Sequence, residues 1–430
     1  MVARTIGCMS DQRDEKAAVR VVEANRAQMR LVPLDLESML PEDHQARAVW
    51  AFVERVDLSE FYSRIAAREG SAGRPAIDPR ILLALWIEAT LDGIGSAREI
   101  ERQCRYHLAY QWICGGVNVN YHTLSDFRSE SADLLKGVLR QSVAMLMWQG
   151  LVEIRRVAQD GMRVRAAAGA SSFRTRATLA RLTRIANEQV ETLTREVDSD
   201  PAASKTREQA ARERAARERA ERIERALEEM NEAEKRKRSK NGKKKTEART
   251  SMTDPTARVM KMADGGFRPA YNVHLVTDTV SRVILAVDVD DRGTDQHAMV
   301  PLAQQIEERL DQRPEEWLAD GGCTSLTNID RMTMRGCRVF SPLRERRSGR
   351  KSSEIRPTDS DAVRQWRDRM STDEAKAIYK ERAATAEWVN ARYRAQGLLQ
   401  FLVRGAKKAL SVALLHAITN NMARGTALAC

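Results

Sequence analysis

Val157-Ala-Gln-Asp160-Gly161-Met-Arg-Val164 is the stretch whose reading decides the fold. Apolar and β-branched residues flank one aspartate, which reads as a strand carrying a carboxylate near its end. Everything before it has a different texture. From Arg47 to about Gly150 the apolar spacing is helical almost throughout, with Ala48, Phe52 and Val56 at i, i+4 and i+8. Asp78-Pro79 opens a strongly apolar helix, Gly93-Ile-Gly95 ends it, and Ser96 is a natural N-cap for Ala97–Arg105. Short helices joined by glycine-containing turns suit a helix-turn-helix-like module. A further helix is expected from Tyr121, capped by Thr123 or Ser125.

After the first strand comes a long charged insertion. Leu179, Leu182, Ala186, Val190, Leu193 and Val197 form one helical stripe, and Asp198-Ser-Asp-Pro201 breaks it. Ala216, Ala220, Ile223, Leu227 and Met230 form a second stripe with coiled-coil-like spacing, so an antiparallel helical hairpin is expected. It ends in the cationic run Lys235–Lys245, either a solvated loop or a phosphate contact. Strand character returns at Gly266–Asp278 and Val283–Val289, a hairpin, followed by an amphipathic helix over Gln296–Arg309. Trp317-Leu-Ala-Asp320 and Val339–Pro342 read as two more strand segments, and from Asp361 onward the pattern is helical to the end.

The fold class is therefore α/β: a mixed sheet with flanking helices, preceded by an all-α region and interrupted by a helical hairpin. We divide it into a tail (1–45), a helical domain (46–150), a core (151–173 and 251–425) and the insertion (174–250). In open α/β sheets ligands gather at the carboxyl ends of strands, where Asp160 and Asp320 are both expected.

A third carboxylate lies in the run Tyr379-x2-Arg382-x4-Glu387-x6-Arg394, on a helix that carries a phenol and two guanidiniums on one broad face. Each acid alone has a bland reading. Asp160-Gly161 and Asp320-Gly-Gly322 suit turns with glycine at positive φ, and Glu387 suits a solvated helix surface. Three separated carboxylates that converge, however, are what a pair of Mg²⁺ ions needs to act on a phosphodiester. Among the competitors, Asp278 is the first reserve, while Asp288, Asp290, Asp291 and Asp295 read as a polar turn. His122 and His274 are read as structural or DNA-facing, His416 as a core histidine, and Trp86, Trp112 and Trp148 as core.

Charge points the same way. With 72 Lys+Arg against 60 Asp+Glu the formal net charge is +12, a field that favours a polyanion such as DNA or RNA. No GxSxG, HExxH or P-loop motif is present. No apolar run reaches membrane-spanning length, the amino terminus has no signal-peptide apolar region, and six scattered cysteines fit a reducing cytoplasm.

Taken in order, these motifs resemble the bacterial insertion-sequence transposases with a DDE core. The carrying segments are Arg74-Pro-Ala-Ile-Asp78-Pro, Gly93-Ile-Gly-Ser96-Ala-Arg98-Glu-Ile100, His122-Thr-Leu-Ser-Asp126-Phe127-Arg128, Asp160-Gly161, Gly265–Val273, Asp320-Gly-Gly322, the Tyr379 to Arg394 run, and Leu402–Gly405 leading to Asn420-Asn421. The resemblance implies an RNase H-like core. In it, Asp160, Asp320 and Glu387 bind two Mg²⁺ ions, with Mn²⁺ able to substitute, and Tyr379, Arg382 and Arg394 meet DNA. It implies front helices, with Arg98 and Arg128, that recognise transposon ends. The expected activity is metal-dependent cleavage and strand transfer by a homodimer on DNA, in the cytoplasm with the nucleoid. Two positions depart from the pattern: Arg394 stands where Lys is usual, and Cys323 where an aromatic residue is usual. The alternatives are an inactive or domesticated DNA-binding protein, a metal-dependent nuclease that does not join, or a scaffold built on the hairpin.

Overall fold

A computed structural model of the chain describes residues 35–68, 75–199, 207–238, 247–343 and 355–429. The tail before residue 35, most of the cationic run ending at Lys245 and the basic loop Arg344–Lys351 lie outside the described residues.

Seven helices come first: α1 (Gln45–Arg55), α2 (Ser59–Ser63), α3 (Pro79–Leu91), α4 (Ala97–Tyr106), α5 (Leu108–Cys114), α6 (Tyr121–Glu130) and α7 (Ala132–Trp148). Their boundaries are chemical. Asp78 accepts a hydrogen bond from the Arg80 N–H, Ser96 caps α4 through the Glu99 N–H, and Gly93 takes φ +72° to leave α3. The cap of α6 is Asn120, whose Oδ1 accepts from the Thr123 N–H at 3.0 Å; it is not Thr123 or Ser125. Trp86 is buried in α3, as expected, but Trp148 ends α7 with 88 % of its surface exposed.

The sheet follows as β1 (Arg156–Arg165), then, beyond a short ribbon β2 (Phe173–Arg174) and β3 (Thr250–Ser251), β4 (Arg258–Lys261), β5 (Phe267–Asp278), β6 (Ile284–Asp290), β7 (Glu316–Ala319) and β8 (Arg338–Phe340). β5 runs antiparallel to β1 on one side, while β7 and then β8 run parallel on the other. The far edge of β5 is shared by β4 and β6. The order β6-β5-β1-β7-β8 is the RNase H-like arrangement. Asp160 sits in the middle of β1, not near its end. Because β7 stops opposite Gln159, Asp160 is still level with the carboxyl end of that shorter neighbour.

Between β1 and β5 the hairpin projects as α8 (Arg176–Ser199) and α9 (Arg207–Arg238), each helix at about 1.5 Å per residue spanning some 36 and 48 Å. Leu179, Ala186, Ala220, Ile223, Ala226 and Met230 close a core of its own, and Arg176 braces the root against Glu234 at 2.8 Å. The remaining helices are α10 (Met299–Leu310), α11 (Leu326–Met334), α12 (Asp361–Ser371), α13 (Asp373–Ala395) and α14 (Ala406–Ala429). The stretch from Asp361 onward is thus not one continuous helix but three, α12 to α14. Thr372 caps α13, and Gly397 at φ +83° begins a loop that runs to Gly405.

Two large cores cover the two sheet faces. One combines α1–α7 and α14 with Met162, Val164, Val273, Leu275 and Val287; the other packs α10–α12 against Val276, Ala286, Trp317 and Val339. The front helices are therefore fused to the sheet through α14. There, Asn421 accepts from the Ile284 N–H and donates to its carbonyl, both at 2.8 Å.

Candidate active site

Side chains alternate across a strand, so Asp160 and Gly161 look to opposite faces of β1. Asp160 turns towards α13. Its Oδ1 accepts from Arg382 Nη2 at 2.6 Å, and its Oδ2 accepts from Asn390 Nδ2 at 2.8 Å. Arg382 and Asn390 are eight residues apart, about 80° on a helical wheel, so one face of α13 grips one carboxylate. Asn390 escaped the sequence reading; its only signal is the two-turn spacing from Arg382.

Asp320 follows β7 in a tight turn, where its Oδ1 accepts from the Cys323 N–H at 2.9 Å and its Oδ2 lies 3.9 Å from the same Arg382 Nη2. The glycines of this turn do not take positive φ. Gly322 instead leaves room, since a Cβ there would meet Asp320 Oδ1 at 3.0 Å. Cys323, at the usually aromatic position, is buried against the sheet.

Glu387 lies on α13 about 60° further round than Asn390, exposed to solvent. Among the described residues no recorded contact joins it to Asp160 or Asp320. Tyr379 is half-buried next to Arg382, and burial raises its pKa. Arg394 is exposed. In the front helices Arg98 is exposed and lies over the Tyr121 ring at 4.8 Å. Arg128 is different. It is buried, stacks on Trp86 at 4.6 Å and donates to the Gly95 carbonyl at 2.5 Å, and burial lowers its pKa to about 10. Its observed work is to hold the α3–α4 turn.

The reserve carboxylates also sort themselves. Asp278 spends its Oδ2 on the Ser281 N–H and hydroxyl, both at 2.6 Å, to build the β5–β6 turn. Asp295, read as part of a polar turn, instead stands beside Asp320, with ligand atoms of Asp295, Asp320 and Cys323 all within 4.8 Å of one another. It also explains Gly161, where a Cβ would meet Asp295 Oδ1 at 2.8 Å.

Electrostatically the site is short of positive charge. Burial is the largest influence on Asp160 and raises its pKa, opposed by Arg382 and Asn390 and reinforced by Asp320. Asp160 and Asp320 share one guanidinium, and a third carboxylate, Asp295, stands beside Asp320. An all-oxygen donor set with uncompensated negative charge fits hard divalent cations such as Mg²⁺.

Two stretches of the chain match known protein families. A family model described as a transposase domain (DUF772) matches residues 34–130, and one described as a transposase DDE domain matches residues 243–397. Asp320 and Glu387 fall within the second match, and Asp160 falls between the two. No curated protein and no solved structure matches the chain. No helix among the described residues is long and apolar enough to cross a membrane.

Proposed function

Because the chain belongs to the insertion-sequence DDE transposases, we propose that it binds the ends of its element, cuts them and joins them to target DNA. One observation carries this reading. Asp160 and Asp320, on separate elements of the sheet, come to a single guanidinium, at 2.6 and 3.9 Å from Arg382 Nη2. Glu387 is assigned as the third ligand by its place in the Tyr379 to Arg394 run.

Two Mg²⁺ ions held by these carboxylates, or Mn²⁺ in their place, would supply an activated water or 3′-OH and stabilise the leaving oxygen. The protein's own part is positional. Asn390 fixes the rotamer of Asp160. Arg382 balances the two aspartates and is placed to meet a phosphate with its remaining N–H groups. Tyr379 and Arg394 flank the same helix and would orient the DNA backbone.

A groove of about 700 Å³ supports a DNA path away from the centre. It runs between α6 and the loop before α14 and is lined by Arg165, Arg404 and Lys408. Arg165 lies five residues along β1 from Asp160, roughly 17 Å at strand rise. Exposed Arg98 adds a further cation on the front helices. Two ends must be paired, so the working form is proposed to be a homodimer on DNA, with the nucleoid as its place of action.

The test is an assay on duplexes carrying the element's terminal repeats, with Mg²⁺ or Mn²⁺. Covalent joining that disappears in Asp160→Asn while DNA binding persists is the expected result. Cleavage without joined product would indicate a nuclease. Binding without cleavage in the unaltered chain would indicate a DNA-binding protein.

A further inference from the structure

On the sheet face opposite Asp160, three ligand-type side chains converge that the cleavage chemistry does not use. They are His274 of β5, Asp290 at the end of β6, and His297 just before α10, and one ligand atom of each lies within 4.8 Å of the other two. His274 Nε2 and His297 Nε2 both approach the same Asp290 oxygen, Oδ2, the former at 3.2 Å. The two rings stand edge to face with centroids 5.7 Å apart. Asp290 Oδ1 accepts from the Arg292 N–H at 2.8 Å, which fixes the carboxylate's orientation.

Hydrogen bonding among neutral rings leaves this arrangement incomplete. If both imidazoles donate from Nε2 to Oδ2, His274 Nδ1 is a bare acceptor. That atom is fully buried, has no hydrogen-bond partner among the described residues, and faces another acceptor, Asp295 Oδ1, at 3.8 Å. Two buried acceptors facing each other are costly. With its proton on Nδ1, the ring offers an N–H towards Asp295 and a lone pair at Nε2. That is the tautomer of a metal-bound histidine backed by a carboxylate.

We infer that His274, Asp290 and His297 form a second metal centre, separate from that of Asp160 and Asp320, for a borderline divalent transition ion, zinc foremost. Two imidazoles and a carboxylate suit zinc or cobalt and are a poor set for Mg²⁺, which prefers oxygen alone. Donors about 2.0–2.1 Å from a tetrahedral ion lie about 3.3 Å from one another, close to the 3.2 Å between His274 Nε2 and Asp290 Oδ2. His274 is rigid within β5. His297, with 26 % of its side chain exposed, is the ligand able to draw back as the ion enters. A divalent charge there also offsets Asp290 and Asp295 together. Asp295 lies two residues before His297 and beside Asp320, so the ion would pin the segment that sets one flank of the cleavage site.

An untagged chain, stripped of metal and titrated with Zn²⁺ and with Co²⁺, tests this independently of any reaction on DNA. The expected result is one equivalent of Zn²⁺ that excess Mg²⁺ does not displace and that Asp160→Asn and Asp320→Asn retain. The Co²⁺ form should show visible d–d bands that His297→Gln removes, with at least about tenfold weaker Zn²⁺ binding and an unchanged circular dichroism spectrum. Uptake of no Zn²⁺, or equal uptake by His297→Gln and the parent chain, would overturn the inference. Loss of Zn²⁺ binding in Asp160→Asn would overturn the separateness of the two centres.

Discussion

Within a few ångströms of one strand, the two faces of the sheet treat a buried carboxylate in opposite ways. On the α13 face, Asp160 shares one guanidinium with Asp320, and burial raises its pKa in spite of Arg382 and Asn390. On the other face burial also opposes the charge of Asp290, but the hydrogen bonds from His274 and His297 outweigh it and hold the carboxyl well below its usual range. The difference lies in the ratio of partners. One fixed cation divided between carboxylates leaves one of them short of a partner, whereas two imidazoles gathered on one carboxylate hold it in its charged form. On the readings proposed above, the first face would take up its cation with substrate and the second would keep one.

The largest effect expected from breaking the first face is on the reaction. Asp160→Asn or Asp320→Asn should lower strand transfer by more than about 10³-fold, the scale for losing a principal electrostatic group, measured as joined product per time at saturating DNA. Next is Arg382→Ala, which leaves Asp160 and Asp320 facing each other without their shared cation. Chemical denaturation in EDTA should then show a loss of about 3 kcal/mol, partly restored by Mg²⁺; equal loss with and without Mg²⁺ would argue against a cation site there. Asn390→Ala frees the Asp160 rotamer and should weaken Mn²⁺ binding about 10- to 100-fold by electron paramagnetic resonance titration.

Acidity separates the faces by sign. The raised pKa of Asp160 means its contribution to stability is present at low pH and is lost as pH rises through the folded value. The lowered pKa of Asp290 gives a contribution present above the unfolded value near 3.8 and lost as pH falls through the folded one. In EDTA, the stability deficit of Asp290→Asn relative to the parent should therefore shrink as pH falls below about 4, as thermal melts across pH would record. The smallest expected change is Arg394→Lys. The charge is kept at an exposed position, so DNA affinity should move by less than about 1 kcal/mol in a salt-matched titration.

How much of this was legible in the chain depends on how local the signal was. The alternation around Asp160 and the paired stripes of the hairpin carried their elements, since each is written within a few residues of itself. The fusion of front helices to sheet was not legible, because it rests on α14 packing against segments hundreds of residues away. The same holds inside the site. Arg382 lies in a recognisable run, whereas Asn390 and Asp295 gain meaning only once β1, α13 and the loop before α10 are assembled. Arg128, assigned to DNA only through the resemblance, also stacks on Trp86 inside the helical domain, a packing that no local signal announces.

Asn421 has a further consequence. β6 is an outer strand, and at Ile284 both of its outward main-chain groups are taken by one amide from α14. A helix side chain there imitates the next rung of a ladder and then offers nothing beyond it. A second chain cannot add a strand at that point, so this edge of the sheet is closed to edge-to-edge association there.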